Sequence, residues 1–261
     1  MSRTLILSDI HFCKRGSSVN SVEQLRPLWQ GYDELILNGD TSELHCAQHT
    51  EKAEEAVAAI KAMTDEDDVQ LTLICGNHDP TISDLEHKWY CNKQVLVFHG
   101  HAPIFGGAPW SWRYKHFAES HASQLQGTGD GFDEQLSAVR TASIQSATGE
   151  FNEHKPSTFR LSLLVIPSII KILKCWKRYP TYVSKWANQF APTAKFIITG
   201  HTHHAGIWNR EDKVIINTGC YGFPSHPRAV EIDGNKITVY KIYKRKHVYT
   251  LGSECASWKV L

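Results

Sequence analysis

The sequence predicts an α/β fold of layered sheet and helix, and three observations predict it. Five short apolar runs are spread along the chain: Leu5-Ile6-Leu7, Leu35-Ile36-Leu37, Leu71 to Ile74, Val95 to Phe98 and Phe196-Ile197-Ile198. Runs of that length, rich in Ile, Leu and Val, read as strands buried on both faces. Between the second and third, Ala53, Ala56, Val57, Ile60 and Met63 recur at helical spacing, and alternation of strand with helix marks a layered α/β architecture. Finally, 261 residues suffice for one substantial domain, so residues 1–261 are read as a single unit.

Each run leads directly into polar residues. The first precedes Ser8-Asp9-Ile10-His11, the second Asn38-Gly39-Asp40, and the third, through Cys75, Gly76-Asn77-His78-Asp79. The fourth precedes His99-Gly100-His101 and the fifth, through Thr199, Gly200-His201-Thr202-His203. Thr50 is placed to cap the helix between the second and third runs, since a hydroxyl there can accept an orphan backbone N–H. Residues 102–194 form a helical insertion, broken by Gly127 to Gly131, by Gly149 and by Pro156. Within it, Phe132, Leu136, Val139 and Ile144 form an apolar stripe expected to pack on the main domain. Tyr240 to Lys246 reads as an amphipathic final strand with a solvated basic tail.

Composition narrows the function classes. Hydrophobic residues make up 41% of the chain, which supports a core and argues against disorder. The formal net charge is only +1, so no global field recruits nucleic acid or an anionic membrane, and any basic feature is local. The 15 histidines are the unusual count, because imidazole is the commonest metal ligand and titrates near neutral pH. Seven cysteines, an odd number without a CxxC pair, point to a reducing compartment. The N-terminus reaches charged Asp9 too soon for a secretory signal. Leu161 to Leu173, the longest apolar stretch, is interrupted by Ser162, Pro167, Ser168 and Lys171 and falls short of the roughly 20 residues of a membrane span. The expected location is cytoplasmic, with peripheral contact at the inner membrane surface as the alternative.

Taken singly, each polar cluster reads as an ordinary turn. Together, five of them at strand ends point to one site, because ligands collect outside the carboxyl ends of strands in such folds. The clusters resemble the signature of the calcineurin-like metallophosphoesterase family, D-x-H, G-D, G-N-H-D, an isolated H and G-H-x-H. Ile216 to Cys220 and Ala229 to Asp233 are similar to that family's closing strands. The resemblance implies a β-sandwich flanked by helices. It implies one metal ion on Asp9, His11, Asp40 and His203, and a second on Asp40, Asn77, His99 and His201, with Asp40 bridging. Mixed nitrogen and oxygen ligands suit Mn, Fe or Zn rather than Ca or Mg. Two such cations activate a water for attack on phosphorus. The resemblance assigns His78 as proton donor to the leaving oxygen, with Asp79 orienting its imidazole. The chain is thus read as a phosphoesterase acting on a phosphate ester or phosphoanhydride, with no obligatory protein partner.

Substrate choice is assigned to the insertion. Trp110, Trp112 and Arg113 closely follow the His99 motif and are candidate substrate contacts. Leu161 to Arg178 is strongly apolar, then basic at Lys171, Lys174, Lys177 and Arg178, suiting a cap helix, a lipid-binding cleft or an amphipathic membrane-surface element. The layout is also similar to UDP-2,3-diacylglucosamine pyrophosphohydrolases, as is Glu43 three residues after Asp40. Those enzymes usually carry Arg at the position of His78 and Asp at that of His101. The substrate is accordingly a phosphorylated small molecule or nucleotide, or alternatively a lipid-linked pyrophosphate. A nuclease would need a basic groove, and a Ser/Thr protein phosphatase an Arg that Thr41 to His45 lacks. A non-catalytic binding scaffold is the remaining alternative. His45, His49, His101 and His204 fall near the motifs, but spacing alone does not place them, with His204 expected at the surface.

Overall fold

The computed structural model describes residues 2–14, 16–104, 114–127, 129, 131–150, 158–222 and 226–261. Every predicted run is a strand: β1 (Arg3–Leu7), β2 (Glu34–Asn38), β3 (Gln70–Ile74), β5 (Val95–Phe98) and β6 (Phe196–Thr199), with β4 (His87–Tyr90) inserted before β5. Five more follow: β7 (Gly206–Arg210), β8 (Lys213–Asn217), β9 (Arg228–Asp233), β10 (Lys236–Arg245) and β11 (Val248–Lys259). They make two sheets, ordered β11-β10-β9-β1-β2-β3 and β4-β5-β6-β8-β7. Strands β1, β2 and β3 run parallel in the first, with β3 at its edge, and β5, β6 and β8 run parallel at the heart of the second.

Side-chain alternation along these strands builds the layers, because successive residues point to opposite faces. Ile6, Ile36 and Ile74 meet Val95, Val97, Ile198 and Ile216 between the two sheets. Their neighbours Leu5, Leu7, Leu35 and Leu37 face outward onto Leu28, Trp29, Val57 and Ile60, which lie on α1 (Arg26–Trp29) and α2 (Thr50–Glu66). On the far side, Leu96, Phe98, Ile197 and Ile215 pack against Phe117, Leu136, Val139, Tyr179 and Trp186. Those belong to α3 (Tyr114–Gly127), α4 (Phe132–Glu150) and α5 (Thr158–Phe190). The result is helix, sheet, sheet, helix. The central strands carry apolar runs because each has a covered face on both sides, and their buried Thr4 and Thr72 bond to Glu34 between them.

Three expectations are corrected. Thr50 is not the cap of α2: His49 occupies that position without a side-chain cap. Thr50 sits inside the first turn, and its hydroxyl donates back to the Cys46 carbonyl at 3.0 Å. In the α4 stripe, Leu136 and Val139 are buried but Ile144 is 38% exposed; Ala142 and Ser143 take the inward positions. Strand β10 is not the last, since it turns at Lys246 into β11, pairing Arg245 with Val248. Much of β11 is a polar, half-exposed edge strand, so it lacks the apolar run that marked the others.

Burial sets the expected cost of mutation. Ile198→Ala, which opens a void between the sheets at a fully buried side chain, should lower unfolding free energy by about 2–5 kcal/mol in urea titrations. Ile144→Ala, at the exposed position, should change it by about 0.5 kcal/mol or less.

Candidate metal centre

Turns at the carboxyl ends of β1, β2 and β6 carry their polar residues with the backbone in the left-handed region. Asp9, His11, Asp40, His201 and His203 have φ between 51° and 66°. Non-glycine residues visit that region at a cost of order 1–3 kcal/mol, and such strain gathers at functional sites. Two glycines are required by close approach. A Cβ on Gly76 would strike the backbone N and Oδ1 of Asp40, and one on Gly200 would strike Oδ2 of Asp9 and the hydroxyl of Ser8.

These turns bring the predicted ligands together. Asp9, His11, Asp40 and His203 offer ligand atoms within 4.8 Å of one another, and so do Asp40, His99 and His201. In the first group His11 Nε2 lies 2.9 Å from His203 Nε2 and 3.5 Å from Asp40 Oδ2, while His203 Nε2 is 3.4 Å from Asp9 Oδ1. In the second, His99 Nε2 is 3.4 Å from Asp40 Oδ2. Asn77 Oδ1 joins it, 3.2 Å from His99 Nε2 and 2.8 Å from His201 Nδ1. Asp40 belongs to both groups.

The donor set fits divalent metal ions. Bonds of roughly 2.0–2.2 Å around a tetrahedral or octahedral cation put neighbouring ligand atoms about 3.0–3.5 Å apart, matching the spacings above. Tautomers are set from outside the groups: His99 Nδ1 meets the Asn38 carbonyl at 3.0 Å and His11 Nδ1 meets Glu43 Oε1 at 2.7 Å, so each Nε2 faces inward. Such outer hydrogen bonds orient metal-binding imidazoles. Charge is crowded as well. Burial, and then Asp40, push the Asp9 carboxyl up to about 7 despite His99. Burial opposes ionisation of Asp40 too, but His99 and His78 hold it well below the usual carboxylate range.

Asp79 does not orient His78. Its fully buried carboxylate accepts the backbone N–H groups of Asp40 at 2.9 Å, Thr41 at 2.6 Å, Ser42 at 3.3 Å and Gly76 at 2.8 Å. It thereby ties the loop after β2 to the loop after β3. The partner of His78 is Glu43, whose Oε2 lies 2.9 Å from His78 Nδ1 while Oε1 holds His11. Burial alone would raise the Glu43 pKa, yet the hydrogen bonds from His11 and His78 hold it far below its ordinary value. The His78 ring is 24% exposed and stacks edgewise on His11 and His45.

The other histidines divide. His101 is buried beside His99 and His201. His45 Nδ1 lies 2.5 Å from the His78 carbonyl. His204, expected at the surface, is half-buried: it stacks on Trp176 and lies against Trp208. Trp110, Trp112 and Arg113 lie outside the described residues. The insertion does touch the centre, through α5: Trp176 Nε1 donates to the Thr202 carbonyl at 2.8 Å, and the Tyr179 hydroxyl to the Gly100 carbonyl at 2.9 Å. Nothing in the spacing of Trp176 or Tyr179 marks those contacts. Glu43 could have been found from its place three residues after Asp40.

A two-sheet, four-layer fold thus brings Asp, Asn and His donors from the loops after β1, β2, β3, β5 and β6 to one rim. Residues 3–234 match the model of the calcineurin-like phosphoesterase superfamily domain, and the chain belongs to that superfamily. No curated protein matches the chain. Among solved structures it is similar to vacuolar protein sorting 29 from Cryptosporidium parvum, at 12% identity and a TM-score of 0.47, covering 99% of this chain and 98% of that one. It is similar also to a dimetal phosphatase from Danio rerio, at 12% identity and a TM-score of 0.47, covering 97% and 99%. A predicted phosphoesterase from Streptococcus pneumoniae matches at 14% identity and a TM-score of 0.39, covering 97% of each chain.

Close packing at Gly76 gives a test. Gly76→Ala should push Asp40 and Asp79 apart and weaken metal binding about 10- to 100-fold, read by metal titration with elemental analysis. Unchanged affinity would show that the approach of Gly76 to Asp40 does not limit the site.

Proposed function

We propose that the chain hydrolyses a phosphate ester or phosphoanhydride with two metal ions, held by Asp9, His11, Asp40 and His203 and by Asp40, Asn77, His99 and His201. The observation that carries this reading is the membership of Asp40 in both donor groups: its Oδ2 faces His11 at 3.5 Å on one side and His99 at 3.4 Å on the other. Mn, Fe and Zn suit the mixed donors. When bound, such a pair lowers the pKa of a water, neutralises phosphoryl oxygens and aligns the attacking and leaving groups.

The protein residues supply the rest. Glu43 holds Nδ1 of His78, which leaves Nε2 of this partly exposed ring to give a proton to the leaving oxygen. Burial and Lys14 disfavour the charged imidazole, but Asp40 and Glu43 outweigh them and raise its pKa, the direction that suits a proton donor. Glu43 also fixes His11, so one carboxylate aligns a proposed metal ligand and the proposed acid. Beside the centre, Asp9, His11, Lys14, Ser17, His203 and Tyr221 line a cavity of about 300 Å³. Its volume suits a phosphorylated small molecule or nucleotide, and Lys14 offers a cation to the phosphate. No Ser or Cys nucleophile is needed. The buried Cys75 thiol is pushed up to about 12, first by burial, which suits a core side chain.

His78→Ala should keep its metals and lose roughly 10²–10⁴-fold in kcat on phosphoesters with poor leaving groups, but far less on a nitrophenyl ester. Loss of both metals in that variant would remove His78 from the acid role. Asp40→Ala should abolish metal binding and hydrolysis together; a variant that still held two metals would refute the bridge. A wild-type chain that holds two metals yet cleaves no phosphomonoester, phosphodiester or nucleotide sugar would favour the scaffold reading.

A further inference from the structure

Helix α5 carries a surface that neither the core nor the metal centre uses. Ile169, Ile170 and Leu173 are 48%, 47% and 54% exposed. Three large aliphatic side chains in one turn of water-facing helix form a contiguous apolar patch, unlike single exposed hydrophobics, which are ordinary. Positions 169 and 173 lie one above the other and 170 beside them, because residues three and four apart share a helix face. Lys171, Lys174, Lys177 and Arg178 are exposed along the flank. Over its full length of 33 residues, α5 has six basic side chains and no Asp or Glu, in a chain whose net charge is only +1. Its positive charge is therefore local. The opposite face is committed, with Cys175, Tyr179, Val183 and Trp186 in the core against β5, β6 and β8.

An apolar strip edged by ammonium groups matches the boundary of an anionic bilayer. Isoleucine and leucine enter the acyl region, while lysine stems extend along it and their charges stay at the headgroups. The same helix is bolted to the metal centre. Trp176, one turn beyond Ile172 and Leu173, donates to the carbonyl of Thr202, which lies between His201 and His203, and stacks on His204. A surface that seats α5 thus lies next to the loop carrying two proposed ligands.

We propose that the Ile169–Arg178 face of α5 docks on an anionic lipid bilayer and presents the metal centre to phosphoesters carried on lipid headgroups. The substrate class rests on the phosphoesterase reading; the docking does not. No helix among the described residues is long and apolar enough to cross a membrane, in keeping with a surface element. Flotation with vesicles tests the docking. The full chain should float with phosphatidylcholine vesicles containing about one-third phosphatidylglycerol and not with pure phosphatidylcholine, and salt should weaken the binding. Lys171→Ala/Lys174→Ala should cost on the order of tenfold or more in vesicle affinity, and Ile169→Ser/Leu173→Ser should do likewise. Both variants should hydrolyse a soluble nitrophenyl phosphate at the wild-type rate. Wild type that ignores anionic vesicles, or variants that bind as wild type does, would overturn the proposal. So would self-association through these residues without vesicle binding. Vesicle binding without hydrolysis of any phosphoester would instead leave the docking intact and sink the phosphoesterase reading.

Discussion

The carboxylate of Asp40 is the charge around which this protein is arranged. It is buried, lies within reach of His11 on one side and His99 on the other, and receives the backbone N–H of His78 at 2.8 Å. Water cannot solvate an anion in that position, so neighbours must. Histidines, backbone amides and the proposed cations share the task, and each must be delivered by a different turn. That demand explains why the ligands follow strand ends. Parallel strands in register place their carboxyl ends on one rim, and β1, β2 and β3 do so with Leu7, Leu37 and Leu73 side by side.

Holding such turns costs conformational energy, and the surrounding structure offsets it. Five of the proposed metal-binding residues stand in the left-handed region, a strain that persists only where neighbours over-determine it. Asp79 is one such neighbour, gathering four backbone amides from two loops onto a single carboxylate. The packed layer between the sheets is another, since its apolar centre and the bonds from Lys88 and Tyr90 of β4 to the buried Glu34 of β2 fix the register that brings the loops together. Rigidity from these contacts keeps the donor spacing near that of a coordinated ion, which is what binding a metal without reorganisation requires.

Much of this was legible in the sequence, for identifiable reasons. Strands β1, β2, β3, β5 and β6 announce themselves because a strand covered on both faces carries a near-continuous apolar run. The donors announce themselves because each immediately follows such a strand. What escaped was set by contacts between distant residues. The role of Asp79 went to Glu43 because side-chain direction at a turn depends on the fold, and adjacency to His78 in sequence is not contact in space. Strand β11 escaped because an edge strand with one wet face has no continuous apolar run. Trp176 escaped because its hydrogen bond to Thr202 joins a helix of the insertion to a metal loop 26 residues away. That bond also joins residues 102–194 to the metal centre, for α5 helps to hold the loop that carries His201 and His203.

Anomalous diffraction from crystals grown with Mn or Zn measures directly whether two cations share Asp40. Two peaks should lie about 3.5–4 Å apart, one on each side of the Asp40 carboxylate, with Asn77 and His99 around one and His11 and His203 around the other. A single peak among His11, Glu43 and His78, which also form a potential donor group, or two peaks that leave Asp40 unbound, would contradict a shared Asp40.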